Sequence, residues 1–200
     1  MGVYELSGAG SIKTGRTLYT SMNAGNQYGA MVPIASYTAN GTSNFFSFTS
    51  IPQTYQDLFF VINGRSAFSS ATAQVYTYLN SDSSALYSRT RLYGNGSAAA
   101  SDRTSNDTAA YIAEIPGASA TSGIFGSGVM HILNYANTST FKTVLIRSAV
   151  DLNGSGFTHL WVNTYRSTNA IRGFDIFNSG ASNFTSGTTV TLYGIRAVSS

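Results

Sequence analysis

From about Val32 to its end, the chain is a succession of short runs rich in β-branched and aromatic residues, and no other feature limits its fold so strongly. Each run is bounded by Gly, Asn, Ser or Pro, which favour turns. Runs repeated at a spacing of about 8–12 residues are typical of β-sandwiches and barrels. The runs are VPIASYTA, NFFSFTSI, DLFFVING, AQVYTYLN, LYSRTRLYG, YIAEI, GVMHILNY, FKTVLIRSAV, FTHLWVNTY, AIRGFDIF and TTVTLYGIRAV.

Side-chain alternation within the runs supports strands. Val144, Ile146 and Val150 share one parity in FKTVLIRSAV, so they project from the same side of a strand. DLFFVING is apolar on both parities, which predicts a central strand covered on both sides. No window of helical length keeps a helical apolar stripe without interrupting glycines. We therefore predict an all-β fold of about ten or eleven strands, a jelly-roll-like antiparallel β-sandwich.

Turn signals predict how some of the strands are joined. Asn95-Gly96 and Asn153-Gly154 are the dipeptides that most favour tight hairpin turns. The polar residues between Tyr135 and Phe141 predict a third hairpin. Residues 94–107 (GNGSAAASDRTSND) contain no run of the strand type, so we predict a loop there.

The start of the chain differs from the rest, because small and polar residues dominate and no periodic apolar pattern runs through the first thirty positions, and the composition changes near residues 32–42. We therefore divide the chain into an extended N-terminal arm, residues 1–40, and a β-sandwich domain, residues 41–200. A disordered tail is the alternative to a docking arm. The arm is not rich in charge and contains aromatic and aliphatic anchors, which favours docking on a partner. The residues expected to dock it are Tyr4, Lys13, Arg16, Tyr19, Met22 and Tyr28.

Charged residues make up only 10% of the chain, against about 25% in an average soluble domain. A surface of Ser, Thr, Asn and Gly has few long side chains to immobilise, so it suits a packed assembly. The net charge of +3 is scattered, and the closest cations, Arg89 and Arg91, form no basic run. We therefore expect no nucleic-acid partner. The chain has no cysteine, which fits assembly in a reducing cytosol.

No export signal or membrane span is visible in the sequence. Glu5 interrupts the start, and no apolar segment of a signal peptide follows it. The apolar run from Leu58 to Ile62 is far too short to cross a bilayer. We expect no membrane partner.

Catalytic patterns are also missing from the sequence. His131 and His159 lie within apolar strands, where a histidine bonded to a neighbour is the simpler interpretation. The chain has no GxSxG, and GAGSIKTG lacks the order of a phosphate-binding loop. Glu114 and Asp175 are the acids within strands, and Asp57 heads one. We therefore predict no enzyme, no catalytic residue and no cofactor.

Three aspartates, Asp82, Asp102 and Asp107, lie among oxygen-bearing side chains in predicted loops. Calcium binds such groups, but no ligand order typical of a calcium loop is present. We interpret the three as turn-forming residues and predict no metal site. The mixture in HLWVNTYR would suit sugar binding, although a core tryptophan is the favoured interpretation.

Several sequence segments in a fixed order resemble a module of bacteriophage virion proteins, including those of cyanophages. The segments are FTSIPQTYQDLFFVINGRS, YLNSDSSALYSRTRLYGNG, HILNYANTSTFKTV and AIRGFDIF followed by SNFTSGTTVTLYGIRA. The resemblance covers residues 44–198. It implies a place on the virion, and proteins of this kind are described as structural, decoration or tail-fibre components.

The leading hypothesis is a non-enzymatic capsid decoration (cement) protein that docks on the capsid through its arm. Its expected partners are the major capsid protein or other virion proteins. We also expect a homo-oligomer, and a trimer would match the three-fold sites of a capsid lattice. The expected location is the virion, assembled in the host cytoplasm.

The alternative hypothesis is a neck or tail-fibre component whose β-sandwich binds host glycan, with Tyr165 among the exposed aromatic residues that contact it. A third hypothesis is a sugar-cleaving or esterase domain. Its active site would draw on Glu114, Asp175, His131 and His159.

Overall fold

The computed structural model describes residues 30–197 and, for the backbone alone, residues 16–18. Strands dominate, and one short 3₁₀-helix spans Ser179–Ala181. Among the described residues, no helix is long and apolar enough to cross a membrane. The all-β prediction is confirmed. The strands are β1 Arg16–Leu18, β2 Met31–Thr38, β3 Phe45–Phe48, β4 Asp57–Gly64, β5 Thr72–Leu79, β6 Tyr87–Gly94, β7 Ala99–Asp107, β8 Ala110–Pro116, β9 Gly126–Ile132, β10 Lys142–Asp151, β11 Gly156–Tyr165, β12 Phe174–Asn178 and β13 Thr189–Ile195.

The strands form two antiparallel sheets that face each other. The larger has nine strands in the order β1-β2-β13-β4-β9-β10-β11-β6-β7, and the smaller has four in the order β3-β12-β5-β8. Eight of these strands, β2-β13-β4-β9 opposite β3-β12-β5-β8, have the order of a jelly roll. The predicted jelly-roll-like sandwich is confirmed.

Two hairpins, β6–β7 and β10–β11, are inserted into the jelly roll. They join the β9 edge of the larger sheet and widen it by four strands, which we call the extension. The two predicted Asn-Gly turns close these hairpins, with positive φ at Gly96, Asn153 and Gly154. The third predicted hairpin joins β9 to β10. Strand β8 of the smaller sheet packs mainly against β9, β10 and β11 and only marginally against β6, so most of the outer hairpin reaches past its edge.

The core lies between the two sheets and follows the alternation of each strand. Leu58, Phe60 and Ile62 of β4 are buried, and so are Val144 and Ile146 of β10. Because Trp161 of β11 is also buried, the prediction of a core tryptophan is confirmed. Strand β4 is central, as predicted. Its outward-facing residues are only partly buried or exposed. The prediction that β4 is covered on both sides is therefore wrong for its outer side.

Two predicted boundaries need correction. Residues 31–38, assigned to the arm, form β2, which pairs with β13 and buries Ala35 in the core. The sandwich therefore begins before residue 41. Residues 99–107, predicted as a loop, form β7. This strand lies at the sheet edge with its side chains mostly exposed, so it needs no apolar alternation.

Candidate functional site: an aromatic platform

The outer face of the four-stranded sheet carries a row of aromatic rings. On β5, Val75, Thr77 and Leu79 turn to the core, which leaves Tyr76 and Tyr78 facing outward. Pairing between the strands then aligns one ring from each strand. Phe177 lies opposite both Phe45 and Tyr76, and Tyr76 lies opposite Tyr111. We call these five residues the aromatic platform: Phe45, Tyr76, Tyr78, Tyr111 and Phe177.

Four of the platform rings touch one another, and Phe45 lies opposite Phe177 at the end of the row. Tyr76 and Phe177 are stacked with centroids 5.5 Å apart, and Tyr78 lies 4.4 Å from Phe177. Tyr111 meets Tyr76 edge-on at 4.6 Å. Phe45 is 45% exposed, and the other four rings are half-buried. An exposed patch of contiguous rings on a sheet face is a feature of interaction surfaces.

Hydrogen-bonding groups border the rings. The Tyr76 hydroxyl donates to Gln74 Oε1 at 2.7 Å. Burial and the neighbouring Tyr111 raise the pKa of Tyr76 to about 12, so this hydroxyl stays neutral. The Asp175 carboxylate accepts from Ser47 at 2.6 Å and from Ser81 at 2.7 Å. The platform therefore combines apolar ring faces with neutral donors and a carboxylate.

The inner face of β6 and β7 stands beside the platform. The Arg89 guanidinium lies 4.0 Å from the Tyr111 ring centroid and pairs with Asp107. Arg91 lies 4.2 Å from the ring centroid of Tyr93 and pairs with Asp102. Both arginines next to the platform are thus neutralised. Asp102 and Asp107 are strand residues in ion pairs, which corrects their interpretation as loop residues.

Beside the platform, Glu114 of β8, which lies opposite Gln74, forms a buried polar contact with His159. His159 Nε2 lies 2.9 Å from Glu114 Oε2, and Thr72 Oγ1 donates to Glu114 Oε1 at 2.6 Å. Burial by itself would raise the pKa of Glu114, but the close contact with His159 and the hydrogen bond from Thr72 outweigh it and lower this pKa. Trp161 stacks on His159 with centroids 4.4 Å apart. The pair is enclosed by protein and holds the two sheets together.

A serine lies close to this pair, but its hydroxyl bonds the main chain of Glu114 and not the His159 ring. Ser148 is opposite His159 in the β10–β11 register. Its hydroxyl bonds the main chain of Glu114, accepting from the amide at 3.0 Å and donating to the carbonyl at 3.4 Å. His159 and Ser148 are 2% and 4% exposed. The serine hydroxyl thus satisfies the main-chain polar groups of Glu114 in β8.

The other acids singled out from the sequence have structural partners. His131 Nε2 lies 3.0 Å from Asp57 Oδ2, on the outer face of the larger sheet. Hydrogen bonds from Ser84 and Tyr165 lower the pKa of Asp82. Tyr165 is buried, so it is not the exposed glycan-contacting aromatic that the alternative hypothesis assumed. In residues 30–197, no three metal-ligating side chains are grouped as a metal site would require.

Of the predicted docking residues, Arg16 lies in β1, whose backbone pairs with β2 opposite Tyr37. Tyr4, Lys13, Tyr19, Met22 and Tyr28 lie outside the described residues. Sequence reasoning did not identify the platform. The shared parity of Tyr76 and Tyr78 with polar Gln74 was a signal that their ring faces point outward.

No protein-family model matches this chain. No curated protein matches it either. Among solved structures, the chain is similar to the crystal structure of a protein of unknown function from Shewanella oneidensis MR-1. The identity is 12%, the alignment covers 92% of this chain and 77% of that chain, and the TM-score is 0.22. A similarity of this size says nothing about function.

Proposed function

We propose that this chain is a non-enzymatic structural protein of a bacteriophage virion, a neck or tail-fibre component whose β-sandwich binds host-surface glycan through the aromatic platform. The observation that carries the proposal is the alignment of Phe45, Phe177, Tyr76 and Tyr111 across all four strands of one exposed sheet face. The bacteriophage origin rests on the sequence resemblance alone.

Sugar is the ligand class that fits the platform best. The C–H face of a sugar ring packs on an aromatic face, while its hydroxyls exchange hydrogen bonds with Gln74, Asp175 and the tyrosine hydroxyls. Single-stranded nucleic acid also stacks on aromatic rings, but it needs free cations along its phosphates. Arg89 and Arg91 are occupied by acids, and Asp175 would repel a phosphate.

Binding of the full-length chain to polysaccharide purified from host cells, measured by calorimetry, tests this proposal. We expect Tyr76→Ala and Phe177→Ala each to weaken binding about tenfold, because a lost ring contact is worth about 1.4 kcal/mol. Phe141→Ala is the matched control, since Phe141 is 54% exposed but lies off the platform. Absence of binding to every host polysaccharide, or equal loss in the control, would refute glycan recognition at this face.

The second candidate is a capsid decoration protein that docks on the major capsid protein through its N-terminal arm. Strand β1, within that arm, lies at one edge of the described larger sheet. An edge strand offers unpaired backbone groups, to which a neighbouring chain can add a strand. The low content of charged residues also favours a packed assembly.

Gold-labelled antibody on purified phage particles separates the two candidates. Label over the whole shell would favour decoration, and label at the tail or one vertex would favour the glycan-binding component. A protein found in infected-cell lysate but absent from the particles would rule out both.

A further inference from the structure

The outer face of the extension is apolar although no part of the described chain covers it. Leu92 is 56% exposed, Leu160 50%, Leu145 42% and Val162 39%. These four are among only seven large apolar side chains that are exposed in residues 30–197. All four project from β6, β10 and β11, on the side of the sheet opposite the core. Leaving so much apolar surface in water is unfavourable, which indicates an interaction surface.

Two neighbouring rows of residues cross this face, one with mostly large side chains and one with small side chains. In the first row, which we call the ridge, Leu92 lies opposite Leu160, Leu160 opposite Arg147, and Arg147 opposite Val129. The second row, which we call the small row, lies two residues further along the same strands. It consists of Ala99, Gly94, Thr158, Ala149 and Ser127. Both rows line an open depression of about 620 Å³.

We propose that this face is the interface between two copies of this chain, related by a two-fold axis that crosses the strands between the ridge and the small row. Such an axis places the ridge of each copy on the small row of the other. Leu160 then meets Thr158 of the second copy, and the contact is repeated reciprocally. The side-by-side placement of a ridge and a depression on one face is what makes a second copy the fitting occupant.

The area and the charges of the face are compatible with this pairing. Strand β9 and the extension together form five strands of about eight residues each. With strands about 4.8 Å apart and a rise of about 3.3 Å per residue, they offer a sheet area of roughly 600 Å² per copy. Stable interfaces bury about 800 Å² per partner, so the two values are comparable. Arg147 and Asp151 lie four residues apart on the outward side of β10. The two-fold axis brings each Arg147 within reach of Asp151 of the second copy, which offsets the cost of covering an arginine.

Sedimentation of the full-length chain over a range of concentrations tests the interface. We expect a dimer at micromolar concentration and at least a tenfold weaker dimer for Leu160→Asp. Phe141→Asp adds the same charge at a similarly exposed position that precedes β10, beyond the ridge and the small row, and should leave the dimer intact. Thermal unfolding of each variant confirms that the fold is retained.

Cross-linking gives a second measurement, because the chain has no cysteine of its own. A Thr158→Cys, Leu160→Cys variant should yield covalent dimers with a thiol reagent that spans the ~10 Å between packed sheets. A Phe141→Cys variant should not. A monomer at ~100 μM, a trimer, a dimer that Leu160→Asp leaves unchanged, or equal cross-linking of the control would each overturn the proposal. Glycan binding does not depend on this face, so the two proposals fail independently.

Discussion

The jelly roll and the extension differ in what surrounds their strands, although both contribute to the nine-stranded sheet. In the jelly roll, Leu58 of β4 and Ile176 of β12 are fully buried between the sheets. In the outer hairpin of the extension, Arg89 and Arg91 project from the inner face of β6, and Leu92 is exposed on its other face. Apart from Tyr87, the outer hairpin therefore continues the hydrogen-bonded sheet without continuing its core, whereas β10 and β11 continue both.

This difference has an energetic consequence. Burial of a large apolar side chain contributes about 1.5–3 kcal/mol, whereas a partly exposed ion pair contributes about 0–1 kcal/mol. The outer hairpin, β6–β7, therefore contributes less to the stability of the protein than the strands whose large apolar side chains lie in the core, which include β10 and β11. The extension presents a different surface on each side. One side carries Arg89 and Arg91, and the other side is the apolar face.

A matched pair of leucine substitutions gives the largest expected effect. Leu58→Ala removes a fully buried side chain from β4 and should lower the free energy of unfolding by about 3–5 kcal/mol. Leu92→Ala, in the extension, should lower it by less than about 0.5 kcal/mol. Urea denaturation at submicromolar concentration, where the proposed dimer is dissociated, measures both. Comparable losses at the two positions would break the distinction between the regions.

The contact between the two regions at Glu114 should have an intermediate effect. Glu114 of β8 belongs to the jelly roll and His159 of β11 to the extension. Glu114→Gln should cost about 2 kcal/mol at pH 7, because it disturbs a buried hydrogen-bonded carboxylate. Asp151→Asn is the control, measured at submicromolar concentration where the proposed dimer is dissociated, since Asp151 is exposed and Asn keeps the oxygen that accepts from the Asn153 amide. A cost no larger than that of the control would show that the sheets do not depend on this contact.

The same carboxylate predicts a pH dependence. The folded-state pKa of Glu114 is lowered, so its stabilisation is complete above the unfolded-state value of about 4.3 and is lost as pH falls through the folded-state value. The free energy of unfolding should therefore decrease on acidification below about pH 4. Glu114→Gln should reduce this decrease, and an unchanged pH profile in the variant would contradict the assignment.

Substitution of Arg91 should have a smaller global effect than Glu114→Gln. Arg91→Ala removes the pair with Asp102 and the contact with Tyr93, at a cost of about 0.5–1 kcal/mol that shrinks in high salt. Hydrogen exchange should reveal a local effect, with faster exchange in β7 than in β4. Arg103→Ala, on the opposite face of β7, is the comparison variant. Equal acceleration in β4 would mean that the extension is not a separate region energetically.

Local pattern was sufficient to predict most strands. Each of the eleven runs quoted from the sequence overlaps an observed strand, because apolar alternation and turn residues are encoded within a few neighbouring positions. Strand β7 was missed since neither of its faces is covered and no apolar alternation marks it. Strand β2 lies within the predicted arm. A boundary set by composition ignores the strand-like run VPIASYTA, which forms most of this strand.

The sequence by itself determined the fold class, the alternation of each strand and the hairpin turns at Asn95-Gly96 and Asn153-Gly154. Only the tertiary structure decided that Phe45, Tyr76, Tyr111 and Phe177 share one row, and that Leu92 and Leu160 are neighbours on an uncovered face. The physical reason is that strand pairing is non-local. A strand shows which residues share a side, but the order and register of its neighbours determine whether that side meets the core, a partner or water.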